Sequence, residues 1–155
     1  MRTLIALTIV LASVGTGAQT KPDAWIGTWT LNLQKSSYGA LPAPKSAVSR
    51  LVLVDGGRTR VSRDQITAQG TERNEDVTAA FDGKDYEVPA LPGVTYAFTR
   101  VNDSIYVLVA KEKGVVTSTT LTVVSSDGNT RTSTTTAVNT DGKTVAIIAV
   151  YDRRR

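Results

Sequence analysis

Ala24-Trp25-Ile26-Gly27-Thr28-Trp29, near the start of this 155-residue chain, and Val150-Tyr151-Asp152-Arg153, near its end, are the two stretches that decide the fold. The first places two tryptophans at the entry to a strand-like segment. The second closes the last such segment on a tyrosine. Between them the dominant hydrophobic period is two, the signature of strands whose alternate side chains face a core. The runs are punctuated by Asp55-Gly56-Gly57, Asp82-Gly83-Lys84, Asn102-Asp103, Asp127-Gly128-Asn129 and Asp141-Gly142-Lys143. Asp-Gly pairs favour tight turns because such turns need a positive φ. The pattern predicts ten strands, at about 27–33, 47–54, 58–66, 71–81, 85–88, 94–101, 104–111, 115–125, 129–138 and 143–151. No segment shows a helical period. An all-antiparallel chain must dispose of its edges, and closure does so. The expected fold class is therefore all-β: a single antiparallel up-and-down β-barrel of about ten strands. Two irregular connections interrupt it, Gln34–Ser46 with Pro42 and Pro44, and Pro89-Ala90-Leu91-Pro92-Gly93. Proline blocks regular pairing there, and both are too short to separate domains.

Residues 1–18 read as a signal peptide. Arg2 supplies the positive region, Leu4–Ala12 the apolar core and Ser13–Ala18 a small-residue stretch, with Thr16 and Ala18 placed for cleavage before Gln19. The apolar run is shorter than the ~20 residues a bilayer span needs. The expected organisation is a cleaved leader followed by one domain, 19–155, in a periplasmic or secreted protein. The chain has 0 Cys and 0 His. Disulfides, thiol chemistry, Ser-His-Asp and Cys-His catalysis and histidine-based metal sites are therefore excluded. The acidic residues Asp76, Asp82, Asp85 and Glu87 lack the spacing of a calcium loop and read as turn and edge residues. No catalytic residue, metal or cofactor is expected, and the chain is not read as an enzyme. The net charge is +4, but Arg58, Arg60 and Arg63 have no aromatic neighbours in sequence and read as solvated strand charges, not as a nucleic-acid surface. Aromatic content is 6% and the chain ends Arg153-Arg154-Arg155. A membrane barrel would need aromatic girdles, so no stable membrane insertion is expected.

Gly27-Thr28-Trp29 after the apolar Ile26 resembles the opening of the calycins, the superfamily of lipocalins and fatty-acid-binding proteins. Val150-Tyr151-Asp152-Arg153 resembles the last strand of the fatty-acid-binding proteins. Gly27-Thr28-Trp29-Thr30-Leu31-Asn32 with Lys35-Ser36 looks like a group of small secreted bacterial lipocalin-like proteins. The resemblance implies that Trp29 packs across the closed end of the barrel and that the interior holds a small hydrophobic ligand. This chain departs from the pattern in two places. Fatty-acid-binding proteins insert two helices after the first strand, whereas here that segment is the proline-bearing 34–46. Their carboxylate-holding arginine, two residues before the closing tyrosine, is replaced here by Ala149, so that role does not carry over.

Gly27, Trp29 and Arg153 are the candidate closure residues. Trp29 buries a large apolar area, and Arg153 or Arg154 is placed to stack on it as a cation–π lid. Trp25 reads as a cap or surface anchor. Tyr96, Phe98, Tyr106 and Tyr151 are the candidate cavity aromatics, read either as ligand contacts or as core filling. Arg100 shares a face with Tyr96 and Phe98. If inward, it must be paired or must meet an anionic ligand; at a strand end, it is solvated. Residues 117–136 hold nine Thr in twenty positions and read as β-propensity on exposed strands. The functional expectation is an exported barrel carrying a small apolar or amphipathic ligand. The alternative is a protein-interaction module or inhibitor that acts through the 34–46 and 89–93 loops around a filled barrel. Cavity volume separates the two.

Overall fold

The computed structural model describes residues 21–139 and 141–155; the expected leader, 1–18, and its expected cleavage site lie outside them. Ten strands are present: β1 (Gly27–Leu31), β2 (Ser46–Val54), β3 (Arg58–Ile66), β4 (Glu72–Ala79), β5 (Asp82–Glu87), β6 (Val94–Arg100), β7 (Ile105–Glu112), β8 (Val115–Val124), β9 (Thr130–Val138) and β10 (Thr144–Arg153). They form one antiparallel sheet in the order β4-β3-β2-β1-β10-β9-β8-β7-β6-β5. The order is that of an up-and-down meander closed by pairing the first strand with the last, Trp29 opposite Arg153 and Leu31 opposite Tyr151. The sheet's two ends, β4 and β5, share no ladder, so the barrel is nearly closed with one unpaired seam.

The Asp82-Gly83-Lys84 stretch does not form the expected hairpin turn. It makes an irregularity inside β5, between Asp82 and Asp85, with Gly83 at φ +80. The reversal from β4 to β5 instead passes through Phe81, a non-glycine residue at φ +54. Burial holds it there: Phe81 lies in the core against Trp25, Phe98 and Tyr106.

Alternate connections fall at opposite ends. The β2–β3, β4–β5, β6–β7 and β8–β9 turns share the base with Trp25, Trp29 and the end of β10. The 34–46 segment and the Pro89–Gly93 loop share the mouth. As expected, the 34–46 segment carries no long helix, only a single 3-10 turn at its start, Leu33–Lys35. It then runs along β10, which β1 is too short to cover. Ser37 exchanges two backbone hydrogen bonds with Ile148, 2.7 and 2.8 Å. Ser36 Oγ accepts from the Val150 N–H. Asn32 and Lys35 both donate to Asp152, and the Asn32 bond, with Lys35 behind it, lowers the Asp152 carboxyl. A strap is thereby anchored before it crosses the mouth.

The base is an aromatic plug. Trp29 is fully buried and its Nε1–H donates to the Trp25 carbonyl, 2.8 Å. Trp25 is also buried, against expectation: it stacks parallel to Phe81 at 5.8 Å and meets Tyr106 edge-on at 5.3 Å. Ala24 and Trp25 are drawn in because the Ala24 N–H donates to the Asp103 carbonyl in the β6–β7 turn. Arg153 seals the plug from outside. Its guanidinium lies 4.2 Å from the Trp29 ring and donates to the carbonyls of Gly128, Ile26 and Ala24. Gly27 makes room for it. Its φ is +138, and a Cβ there would come within 2.5 Å of Arg153 Nη1.

Candidate functional site

Above the plug the barrel holds a cavity of about 380 Å³, within the range of small-molecule sites. Its lining follows from strand parity. The inner faces of β6, β7 and β10 contribute Tyr96, Phe98, Tyr106, Leu108, Ile147, Ala149 and Tyr151. The mouth strap contributes Tyr38, Leu41, Pro42 and Pro44, so the proline-bearing segment acts as a roof.

The wall made by β8 and β9 is hydroxylated. Ser118, Thr120, Thr122, Ser133 and Thr135 face the cavity. Thr120 Oγ1 and Thr135 Oγ1 lie 2.8 Å apart, and Thr122 Oγ1 and Ser133 Oγ 3.0 Å apart. The threonine-rich stretch is therefore not only an exposed surface. Its odd-numbered positions in β8 and even-numbered ones in β9 face out, while the other parity builds a polar interior.

A second polar group crosses the unpaired seam. Arg63 on β3 donates from Nη2 to both carboxylate oxygens of Glu75 on β4, at 2.9 and 3.0 Å. Tyr96 on β6 donates its O–H to Glu75 Oε2 at 3.0 Å. Around the barrel β5 lies between β6 and the seam with β4, so this bond reaches behind it. Arg63, which the sequence pattern assigns to solvent, is instead an interior residue. Its parity is that of Thr59 and Val61, and Glu75 satisfies its charge. Burial pushes the Tyr38 and Tyr96 phenols up to about 12 each; the Tyr151 phenol adds to the first, the Glu75 carboxylate to the second.

Between cavity and plug lies Arg131, on the inner face of β9 and 3% exposed. Its guanidinium sits 4.5 Å from the Tyr151 ring and 5.3 Å from the Trp29 ring. The barrel axis therefore carries a column of Arg153, Trp29, Arg131 and Tyr151. Two ring contacts stabilise a desolvated cation by about 2 kcal/mol each, against a burial cost of several kcal/mol. The Nε and Nη1 of Arg131 have no hydrogen-bond partner. Its charge, after burial, also lowers the Arg153 guanidinium.

Of the candidate ligand contacts, Tyr96, Phe98, Tyr106 and Tyr151 line the cavity together. Arg100 does not. It ends β6 at the base, where it chelates Asp23 through three contacts of 2.8–3.2 Å and lies 5.9 Å from the Trp25 ring. Parity puts Arg100 on the right face, but the strand runs out beneath the plug. Among the described residues no cluster of three Asp or Glu could hold a metal ion, and no helix is long and apolar enough to cross a membrane.

No protein-family model matches the chain, and no curated protein matches it in sequence. Solved structures do match in fold. The wild-type fluorescent protein UnaG aligns with a TM-score of 0.57 at 17% identity, covering 84% of this chain and 97% of that one. A point mutant of UnaG gives 0.58 at 17%, covering 85% and 97%. The zebrafish ileal bile acid-binding protein complexed with cholic acid gives 0.49 at 11%, covering 84% and 99%.

Proposed function

We propose that this calycin-type barrel is a binding protein that holds one small amphipathic molecule in its interior, between the hydroxyl wall of β8–β9 and the aromatic wall of β6, β7 and β10. The observation that carries the reading is the cavity itself. Barrel interiors that serve only stability are filled by side chains, whereas here about 380 Å³ is left between the plug and the strap. The unfilled interior also favours this reading over a loop-borne interaction module, because the 34–46 strap contributes four side chains to the cavity lining. On this reading Tyr96, Phe98, Tyr106 and Tyr151 are ligand contacts, and Ser118, Thr120 and Thr135 supply the few orienting polar groups such sites use. Protein partners through the strap and the 89–93 loop are not needed. The leader-like residues 1–18 support export, which would place the protein in the periplasm or outside the cell.

The test is uptake of N-phenyl-1-naphthylamine, a neutral dye that fluoresces on entering an apolar site. Saturable one-to-one binding is expected for the wild type. Ala110, on the inner face of β7, also lines the cavity, and Ala110→Phe and Ala149→Phe, each adding a ring to the wall, are each expected to weaken binding by roughly tenfold or more, because each replaces a pocket contact with a clash. Binding that is absent, or that survives both substitutions in folded protein, overturns the reading.

A further inference from the structure

We infer that the ligand carries an anionic group and that Arg131 receives it at the cavity floor. The inference deepens the binding reading above and rests on it. Two arginines lie on the inner wall, and they differ in burial and in pairing: the Arg63 side chain is 39% exposed and Arg131 is 3% exposed. Arg63 is neutralised, because Glu75 takes two hydrogen bonds from it and Tyr96 completes the carboxylate's shell. Arg131 is not. Among the described residues it forms no ion pair, and its Nε and Nη1 are enclosed without any acceptor.

A buried guanidinium is ordinarily paired, because desolvating it unpaired is costly and its fork of donors is left unmet. Aromatic rings stabilise the charge but accept none of the in-plane N–H groups. Arg153 raises the demand, since it holds a second positive charge on the Trp29 ring and has no carboxylate of its own. The base of the barrel thus carries two cations on the Trp29 ring and no anion paired with either among the described side chains. Arg131 does not itself line the cavity but lies directly beneath residues that do. Ser133, two residues along the same inner face, lines it, as does Tyr151, whose ring the guanidinium touches. A carboxylate, sulfonate or phosphate descending past Ser133 and Thr122 would meet the unpaired donors, with the hydroxyl wall along its path and its apolar body against Phe98, Tyr106 and Leu108.

The experiment compares two dyes that differ by one charged group, 1-anilinonaphthalene-8-sulfonate and N-phenyl-1-naphthylamine. The wild type is expected to bind the sulfonate about tenfold tighter or more, the fold-change a charge-assisted hydrogen bond supplies. In Arg131→Met the ratio of the two dissociation constants is expected to fall to near one. Arg131→Lys keeps the charge and is expected to keep the preference, which covers the case in which the methionine variant fails to fold. A wild-type ratio of one overturns the inference without any variant. So does a preference that persists in Arg131→Met, or one that Arg63→Met removes while Arg131→Met does not. If neither dye enters, the binding reading itself fails. If the neutral dye binds and the sulfonate gains nothing, only the anion assignment fails.

Discussion

Replacing Gly27 with alanine adds one methyl group, and the structure predicts a loss comparable to removing a buried side chain. The residue sits at φ +138, where an L side chain costs roughly 1–2 kcal/mol. Its Cβ would stand 2.5 Å from Nη1 of Arg153, so the guanidinium must leave its place. Leaving gives up the Trp29 ring contact, about 1 kcal/mol. It also gives up the bonds from Nη1 to Ile26 and Nη2 to Ala24, about 1.5 kcal/mol each for a charged donor. Partial relaxation brings the expected cost to about 3–5 kcal/mol, or roughly 10–20 °C in Tm for a domain of this size. The assay is urea unfolding followed by tryptophan fluorescence, since Trp25 and Trp29 are both buried in the base. It is run on wild type, Gly27→Ala, Arg153→Ala and the double variant. With Arg153 already removed, Gly27→Ala should cost only the backbone share, roughly 1–2 kcal/mol. Equal costs in the two backgrounds would refute the coupling between Gly27 and Arg153. A cost below about 1 kcal/mol in the wild type would refute the strain argument as well.

The seam and the phenols give two more expectations. Tyr96→Phe removes one donor from Glu75 but leaves Arg63 in place, so it should cost about 1 kcal/mol, measured by the same denaturation. Tyr38 and Tyr96 both titrate at about 12 in the folded barrel, against the usual 10.0. The folded state therefore holds these protons more tightly than the unfolded chain. Their contribution to stability is complete below about pH 10 and is lost as pH rises toward about 12. Absorbance titration at 295 nm should show two phenols ionising late, with both returning to ordinary values in urea.

The architecture was legible because it rests on signals that do not depend on tertiary context. Period-two alternation located all ten strands to within a few residues, although the Asp82-Gly83-Lys84 turn proved to be an irregularity inside β5, and Gly27-Thr28-Trp29 with the closing Tyr151 pointed to the up-and-down barrel, closed by its first and last strands, that the structure has. Trp29 and Arg153 stack as expected, because the glycine that makes room for the arginine is itself part of the motif. The site was legible only in its apolar half. Tyr96 and Phe98 stand on the apolar face of β6, opposite Thr95 and Thr99, whereas β7 and β10 are apolar on both faces and only the rings of Tyr106 and Tyr151 marked them as candidates. β3, β8 and β9 carry polar residues on both faces, so hydrophobicity does not mark the inside. Arg63, Arg131 and the hydroxyl wall were missed for that reason. Parity with Val61 in β3, and with Val124 across the β8–β9 register, is the signal that would have found them. Trp25 was misplaced, and Arg100 took its strand-end alternative over the ligand contact, for another reason. Both depend on how the segment before β1 folds under the base, where Asp23 meets Arg100 and the Trp25 ring meets Phe81, and no local pattern encodes those contacts.

The most direct test of the central claim, that the interior is a binding site, is native mass spectrometry of the protein isolated without denaturant from the cells that make it, with the released material then identified. The account predicts a reproducible one-to-one adduct, lost on denaturation and diminished in Ala110→Phe, and on the Arg131 inference that adduct is an acid. A bare protein mass, together with failure of the purified barrel to take up either naphthalene dye, would contradict it.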